Sequence, residues 1–125
     1  MKPITISPIR DVWLRIRPAL EALSAHPDVT WRPEDVYAAC LYGDASLWCE
    51  GDSFAVLRCV VDEFSGRRIL WVWVACGDGL NDQLPRLDAY ARERGYAEIR
   101  MSSSRPGWHR MPGWSHVESS FKREV

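Results

Sequence analysis

The stretch RPGWHRMPGW, residues 105–114, gathers a histidine, two arginines and two tryptophans in ten positions. His109, beside Arg105 and Arg110, has the residue types of an acid/base group or an anion clamp, because an imidazole titrates near neutrality and guanidinium groups pair with anions. The competing reading is a plain surface histidine, the commoner fate of a lone loop histidine. Glu63, next to Asp62 at the end of an apolar run, has the chemistry of a general base toward an amine. Its neighbours FSGRR make a solvated hairpin the competing reading there. Ser102, Ser103 and Ser104 have no histidine or acid paired with them by motif and read as strand-end and turn residues. His109, His116 and Cys76 offer no ligand pair at helical or hairpin spacing, so no metal site is expected. The cysteines Cys40, Cys49, Cys59 and Cys76 show no CxxC spacing and sit among apolar neighbours, as buried free thiols do.

Trp31, Trp108 and Trp114 are flanked by arginine and proline rather than by apolar runs. Tryptophan and arginine are favoured interface anchors, so Arg105, Trp108, Arg110 and Trp114 form a candidate partner-binding surface. The other expectation for these tryptophans is that they close a small core. Trp71 and Trp73 alternate on one face of an apolar run, with Leu70, Val72 and Val74 on the other, and core packing is expected for them.

These residues need elements to hold them. Ile9, Val12, Trp13, Ile16, Leu20 and Leu23 recur at helical spacing, which predicts a helix over 8–25 that Pro18 kinks or splits. TWRPEDVYAACLYGD reads as a second helix, with Thr30 or Arg32 before it, Pro33 in its first turn and Gly43 at its end. SLWCEG (46–51) and SFAVLRCVVDEF (53–64) read as strands joined by a Gly51-Asp52 hairpin turn. SGRR (65–68) turns the chain into ILWVWVAC (69–76), apolar on both faces like a central strand covered on two sides. Leu80, Leu84, Leu87 and Ala91 stripe a third helix that Gly95 stops. Strands are expected at 97–104 and, from its alternation, at 116–125. This order places an antiparallel meander before one right-handed strand-helix-strand crossover with a parallel strand pair between 69–76 and 97–104.

A chain of 125 residues is expected to form one domain over 1–125. Residues 1–99 carry 11 basic and 15 acidic side chains, whereas 100–125 carry 5 basic and 2 acidic ones. So small a positive excess reads as a solvated face, and nucleic-acid binding is not expected. No signal peptide is recognised and the apolar runs are too short to span a bilayer, so a reducing cytoplasmic setting is expected.

WVWVACGDG, then LPRLDAYARERGYAEIRM, then a late Gly-Trp, resembles the GNAT superfamily of acetyl-CoA-dependent N-acetyltransferases. The nearest resemblance is to small acetyltransferase-like proteins encoded by bacteriophages and prophages, and it covers about residues 30–125. It implies a GNAT-like α/β fold: a mixed, largely antiparallel sheet with helices on both faces and one parallel strand pair. It also implies acetyl-CoA as cofactor, with the pyrophosphate held by backbone N–H groups after the central strand, here around Ala75, Gly77 and Gly79. This sequence departs from the family pattern in that loop. Counting back from Gly95-Tyr96 sets the family glycines nearer Asp78 and Leu80. Asp78 and Asp82 bring carboxylates to the place of the anion, Pro85 removes a donor, and no Arg or Lys lies between Ala75 and Pro85. Ser104 to Ser115 also leaves no room for the family helix that often bears a catalytic tyrosine. The expectation is therefore an acetyltransferase-like protein with reduced or no catalysis and no cofactor, a phage or prophage accessory that meets a phage or host protein in the bacterial cytoplasm or on a virion. The alternative is an active N-acetyltransferase using acetyl-CoA on an amine substrate, since direct aminolysis needs mainly positioning and an oxyanion donor.

Overall fold

In the computed structural model, which describes residues 2–103 and 111–125, the chain opens with a two-residue strand, β1 (Ile6–Ser7). Pro8 then leads directly into α1 (Ile9–Ser24). The expected apolar stripe buries Ile9, Ile16 and Leu20, and Pro18 does not split the helix: α1 is one element. The reason lies in exposure. The carbonyl that Pro18 deprives of a donor is that of Leu14, and both residues are exposed, so water can serve it. α2 (Pro33–Leu41) starts as expected, with Pro33 at its first position; the Asp35 carboxylate accepts the Arg32 backbone N–H at 2.8 Å.

The meander follows. β2 (Ser46–Glu50) turns at Gly51 and Asp52 into β3 (Ser53–Val61), and β4 (Arg68–Cys76) returns beside it. β3 ends at Val61 rather than at residue 64, because the Asp62 carboxylate accepts the N–H groups of Phe64 and Ser65, both at 2.9 Å, and so builds the turn. Those bonds, that of Ser65 first, hold the Asp62 carboxyl below its usual range. A 3₁₀ turn (Asn81–Gln83) precedes α3 (Leu84–Glu93), and β5 (Glu98–Met101) runs parallel to β4. The spatial order is β1-β2-β3-β4-β5, with every pair antiparallel except the last. The mixed, largely antiparallel sheet with one parallel pair is thus present as expected.

Two cores sandwich the sheet. Leu20 and Val36, from α1 and α2, pack with Leu47, Phe54, Val56 and Val74 on one face. Leu87, Tyr90 and Ala91 of α3 pack with Trp48, Leu57, Leu70 and Val72 on the other. Each fully buried aliphatic side chain contributes on the order of 1.5–3 kcal/mol. A bulge decides which β4 residue goes where. Val56 pairs with Val74 but Leu57 pairs with Val72, so Trp73 is the extra residue. Strict alternation therefore fails: Leu70 and Val72 face α3, while Trp73 and Val74 both join the α1/α2 core. Trp71 and Trp73 are half-buried rather than fully enclosed.

Three expectations are corrected. Residues 116–125 form no strand; their apolar positions are only Val117, Phe121 and Val125, all exposed, too sparse a face to hold a strand on the sheet. The segment is tied instead by Lys122, whose ammonium lies 2.6 Å from the Asp28 carboxylate. The strand expected over 97–104 is shorter, 98–101, and Ser104 lies outside the described residues. Cys59 is exposed, because β3 beyond Leu57 runs out from under the core; Cys40, Cys49 and Cys76 are half-buried, and burial pushes the Cys40 thiol up to about 11.

One side chain joins the sheet, α3 and the N-terminal segment. Arg86 donates to the carbonyls of Lys2 (2.7 Å) and Pro3 (3.1 Å), and its Nη1 lies 2.5 Å from the Glu50 carboxylate. The Trp48 indole N–H donates to the same Glu50 oxygen at 3.0 Å. The Trp48 bond, then Arg86, lowers the Glu50 carboxyl below its ordinary 4.5. Its stabilising contribution is fully present above about pH 4.5 and disappears as pH falls through the lowered native value. Glu50→Gln is expected to reduce stability at pH 7 while making the loss of stability below pH 4.5 shallower, measured by urea denaturation across pH. Arg86→Ala should cost about 2 kcal/mol and speed amide exchange around Ile4.

Candidate functional site

The β4–α3 turn is the part of the fold that the sequence marks for chemistry. β4 delivers Ala75, paired with Ala55, and Cys76, paired with Phe54, and the chain then turns through Gly77, Asp78 and Gly79. Gly77 has φ +102°, and a Cβ there would lie 2.2 Å from Ser53 Oγ and 2.8 Å from Ser53 Cα. Only glycine fits both the backbone conformation and that contact. Gly79 lies over the same side chain: its N–H donates to Ser53 Oγ at 3.1 Å. Ser53 itself is buried, the one polar residue in that class among the described residues.

Acetyl-CoA would need this turn to present donors to a pyrophosphate. The residues present do not fit it. The Gly79 N–H is taken by a buried hydroxyl, Asp78 and Asp82 are exposed carboxylates on the same turn, and Pro85 occupies the second position of α3. Ala75, Gly77 and Gly79 are thus brought together, but as a turn packed on Ser53.

Above the turn, β4 runs on past its pairing with β5. β4 pairs with β5 only from Ile69↔Glu98 to Val72↔Met101, so the last four residues of β4 have no β5 partner. Trp73, at the bulge where this begins, is flanked by Trp31 (ring centroids 6.2 Å apart, edge-to-face) and by the Arg58 guanidinium 4.9 Å from its ring. Trp31 is therefore packed against the sheet rather than held out as an anchor.

The other candidates are dispersed. Glu63 is exposed in the β3–β4 turn, at the far end of β4 from Gly77, so it shares no site with the glycines. His109, Arg105, Trp108 and Arg110 lie outside the described residues. Trp114 is half-buried, with its N–H donating to the Met111 carbonyl at 3.2 Å. Among the described residues no three His, Cys, Asp or Glu side chains converge as a metal site would require, and no helix is long and apolar enough to cross a membrane. One cavity of about 130 Å³ is bounded by Cys59, Tyr90 and Tyr96, and another of about 160 Å³ by Lys2, Tyr90 and Arg94. Both are smaller than a usual ligand pocket and neither includes residues 75–80.

Sequence reasoning missed Ser53. Its only signal is a polar residue opening an otherwise apolar strand, which a hairpin turn explains equally well.

Comparison with solved structures settles the architecture. A ribosomal-protein-alanine N-acetyltransferase from Brucella melitensis superposes with a TM-score of 0.67 at 15% identity, over 98% of this chain and 97% of that one. A Trypanosoma brucei acetyltransferase gives 0.67 at 14% identity, over 98% of each chain. An aminoglycoside acetyltransferase from an uncultured soil metagenomic sample, solved with sisomicin, gives 0.66 at 9%, over 98% and 95%. The chain has the GNAT acetyltransferase fold. No family model matches its sequence, and no curated protein does. At such identities the GNAT likeness concerns backbone architecture, and the turn around Ser53 must be read from this chain's own residues.

Gly77→Ala is expected to cost about 2–4 kcal/mol, since it combines a strained φ with a clash against Ser53. Gly43→Ala, at φ +83° in open space, isolates the conformational part and should cost only about 1 kcal/mol. Urea midpoints of the two variants check the difference; equal losses would remove the Ser53 contact from the account.

Proposed function

We propose that this chain uses the acetyltransferase fold to bind a protein partner and does not carry out ordinary acetyl transfer. The observation that supports this best is the Gly79 N–H donating to Ser53 Oγ. A backbone donor that a cofactor phosphate would require is already satisfied inside the protein, beside two carboxylates. The setting that the sequence resemblance favours is a bacteriophage or prophage accessory protein, acting on a phage or host protein in the bacterial cytoplasm or on a virion. The basic and tryptophan-bearing stretch containing Arg105, Trp108, Arg110 and Trp114 supplies the anchors for that partner.

One observation favours a second reading, an active N-acetyltransferase taking acetyl-CoA and an amine. The pairing of β4 with β5 ends at Val72, short of the Gly77–Gly79 turn. Calorimetric titration of the protein with acetyl-CoA separates the two. The binding reading expects no heat of binding at millimolar ligand, and saturable micromolar binding would establish the enzyme reading instead. The partner itself is sought by co-purification from phage-infected or lysogenic cells. Trp114→Ala is expected to lose the captured protein while keeping its melting temperature.

A further inference from the structure

We infer that Ser53 is the residue that withholds the β4–α3 turn from diphosphate-bearing ligands, acting as an internal substitute for the anion. The inference rests on the binding reading above and names the side chain responsible for it.

A turn between a central strand and a helix of ten residues offers backbone donors and partial positive charge to an anion. Here the group that meets the turn comes from the protein. Ser53 opens β3 directly after the Gly51-Asp52 hairpin turn, so its position is fixed by the β2–β3 ladder, with Glu50 paired to Ser53 and Cys49 to Phe54. It is only 7% exposed, which keeps water from competing for its hydroxyl oxygen. That oxygen accepts the Gly79 N–H at 3.1 Å and lies where a Cβ on Gly77 would have to be. Both glycines therefore close over one side chain. An anion approaching from outside finds the Gly79 donor pointing inward, and finds Asp78 and Asp82 exposed on the outer side. Two barriers follow, one of donor direction set by Ser53 and one of charge set by the aspartates. The second can be removed without touching the first.

The experiment uses the full chain and two probes, inorganic pyrophosphate and acetyl-CoA, titrated calorimetrically. The wild type, Asp78→Asn/Asp82→Asn, and the same pair combined with Ser53→Ala are compared. The wild type is expected to bind neither probe at millimolar concentration. The aspartate pair alone should stay weak, and adding Ser53→Ala should tighten pyrophosphate binding at least about tenfold, the worth of one hydrogen bond to a charged acceptor. In the wild type the Gly79 amide should also exchange slowly with solvent, and Ser53→Ala alone should accelerate it; this readout survives if the triple variant folds poorly. Equal affinity with and without Ser53→Ala, in a silent wild type, would overturn the role of Ser53 and leave the binding reading standing. A fast-exchanging Gly79 amide in the wild type would overturn it too. Micromolar acetyl-CoA binding by the wild type would overturn both.

Discussion

The close approach of Gly77 to Ser53 is the contact on which the β4–α3 end of the sheet depends. It requires glycine at one position, fixes the direction of the next glycine's N–H, and joins the start of β3 to the end of β4 at the point where the chain leaves the sheet for α3. In a fold whose architecture is shared with acetyltransferases, that turn is where an anionic cofactor group would be expected from the resemblance. The local packing directs the donor inward instead. A shared fold leaves the chemistry of this turn to its own residues.

The rest of the sheet is built around the bulge at Trp73. By adding one residue to β4 it moves Val74 onto the α1/α2 face and leaves Val72 facing α3, so the two cores meet the same strand on opposite sides of one irregularity. Pairing with β5 stops at Val72, beside the bulge. The stretch of β4 beyond that pairing begins at Trp73, wedged between Trp31 and Arg58. Elsewhere polar networks do structural work. Arg86 gathers the N-terminal segment, Glu50 and the Trp48 indole, and Arg68 stacks 4.5 Å over Tyr96 while donating to the Arg94 carbonyl at the end of α3.

Much of the fold was legible because periodicity reports burial. Ile9, Ile16 and Leu20 announced α1, the run 69–76 announced a central strand, and the Leu84–Ala91 stripe announced the crossover helix that makes β5 parallel. β1 was not legible, since two residues carry no period. The bulge was not legible because Val72, Trp73 and Val74 are apolar whichever face they take. Alternation at 116–125 misled for the opposite reason: the pattern is present, but three scattered apolar side chains do not hold a strand on the sheet. The candidate site was half legible. Gly77 and Gly79 could be singled out by spacing, and the acidic surroundings by composition. Ser53 could not, because its importance arises from a contact across 26 residues that no local pattern encodes.

The most direct measurement is the position of the Gly79 amide resonance in a nitrogen–proton spectrum as acetyl-CoA is added to the wild-type protein. A turn closed by Ser53 predicts a resonance that does not move up to millimolar ligand. A saturable downfield shift, the mark of the N–H turning outward to a phosphate oxygen, would contradict the account.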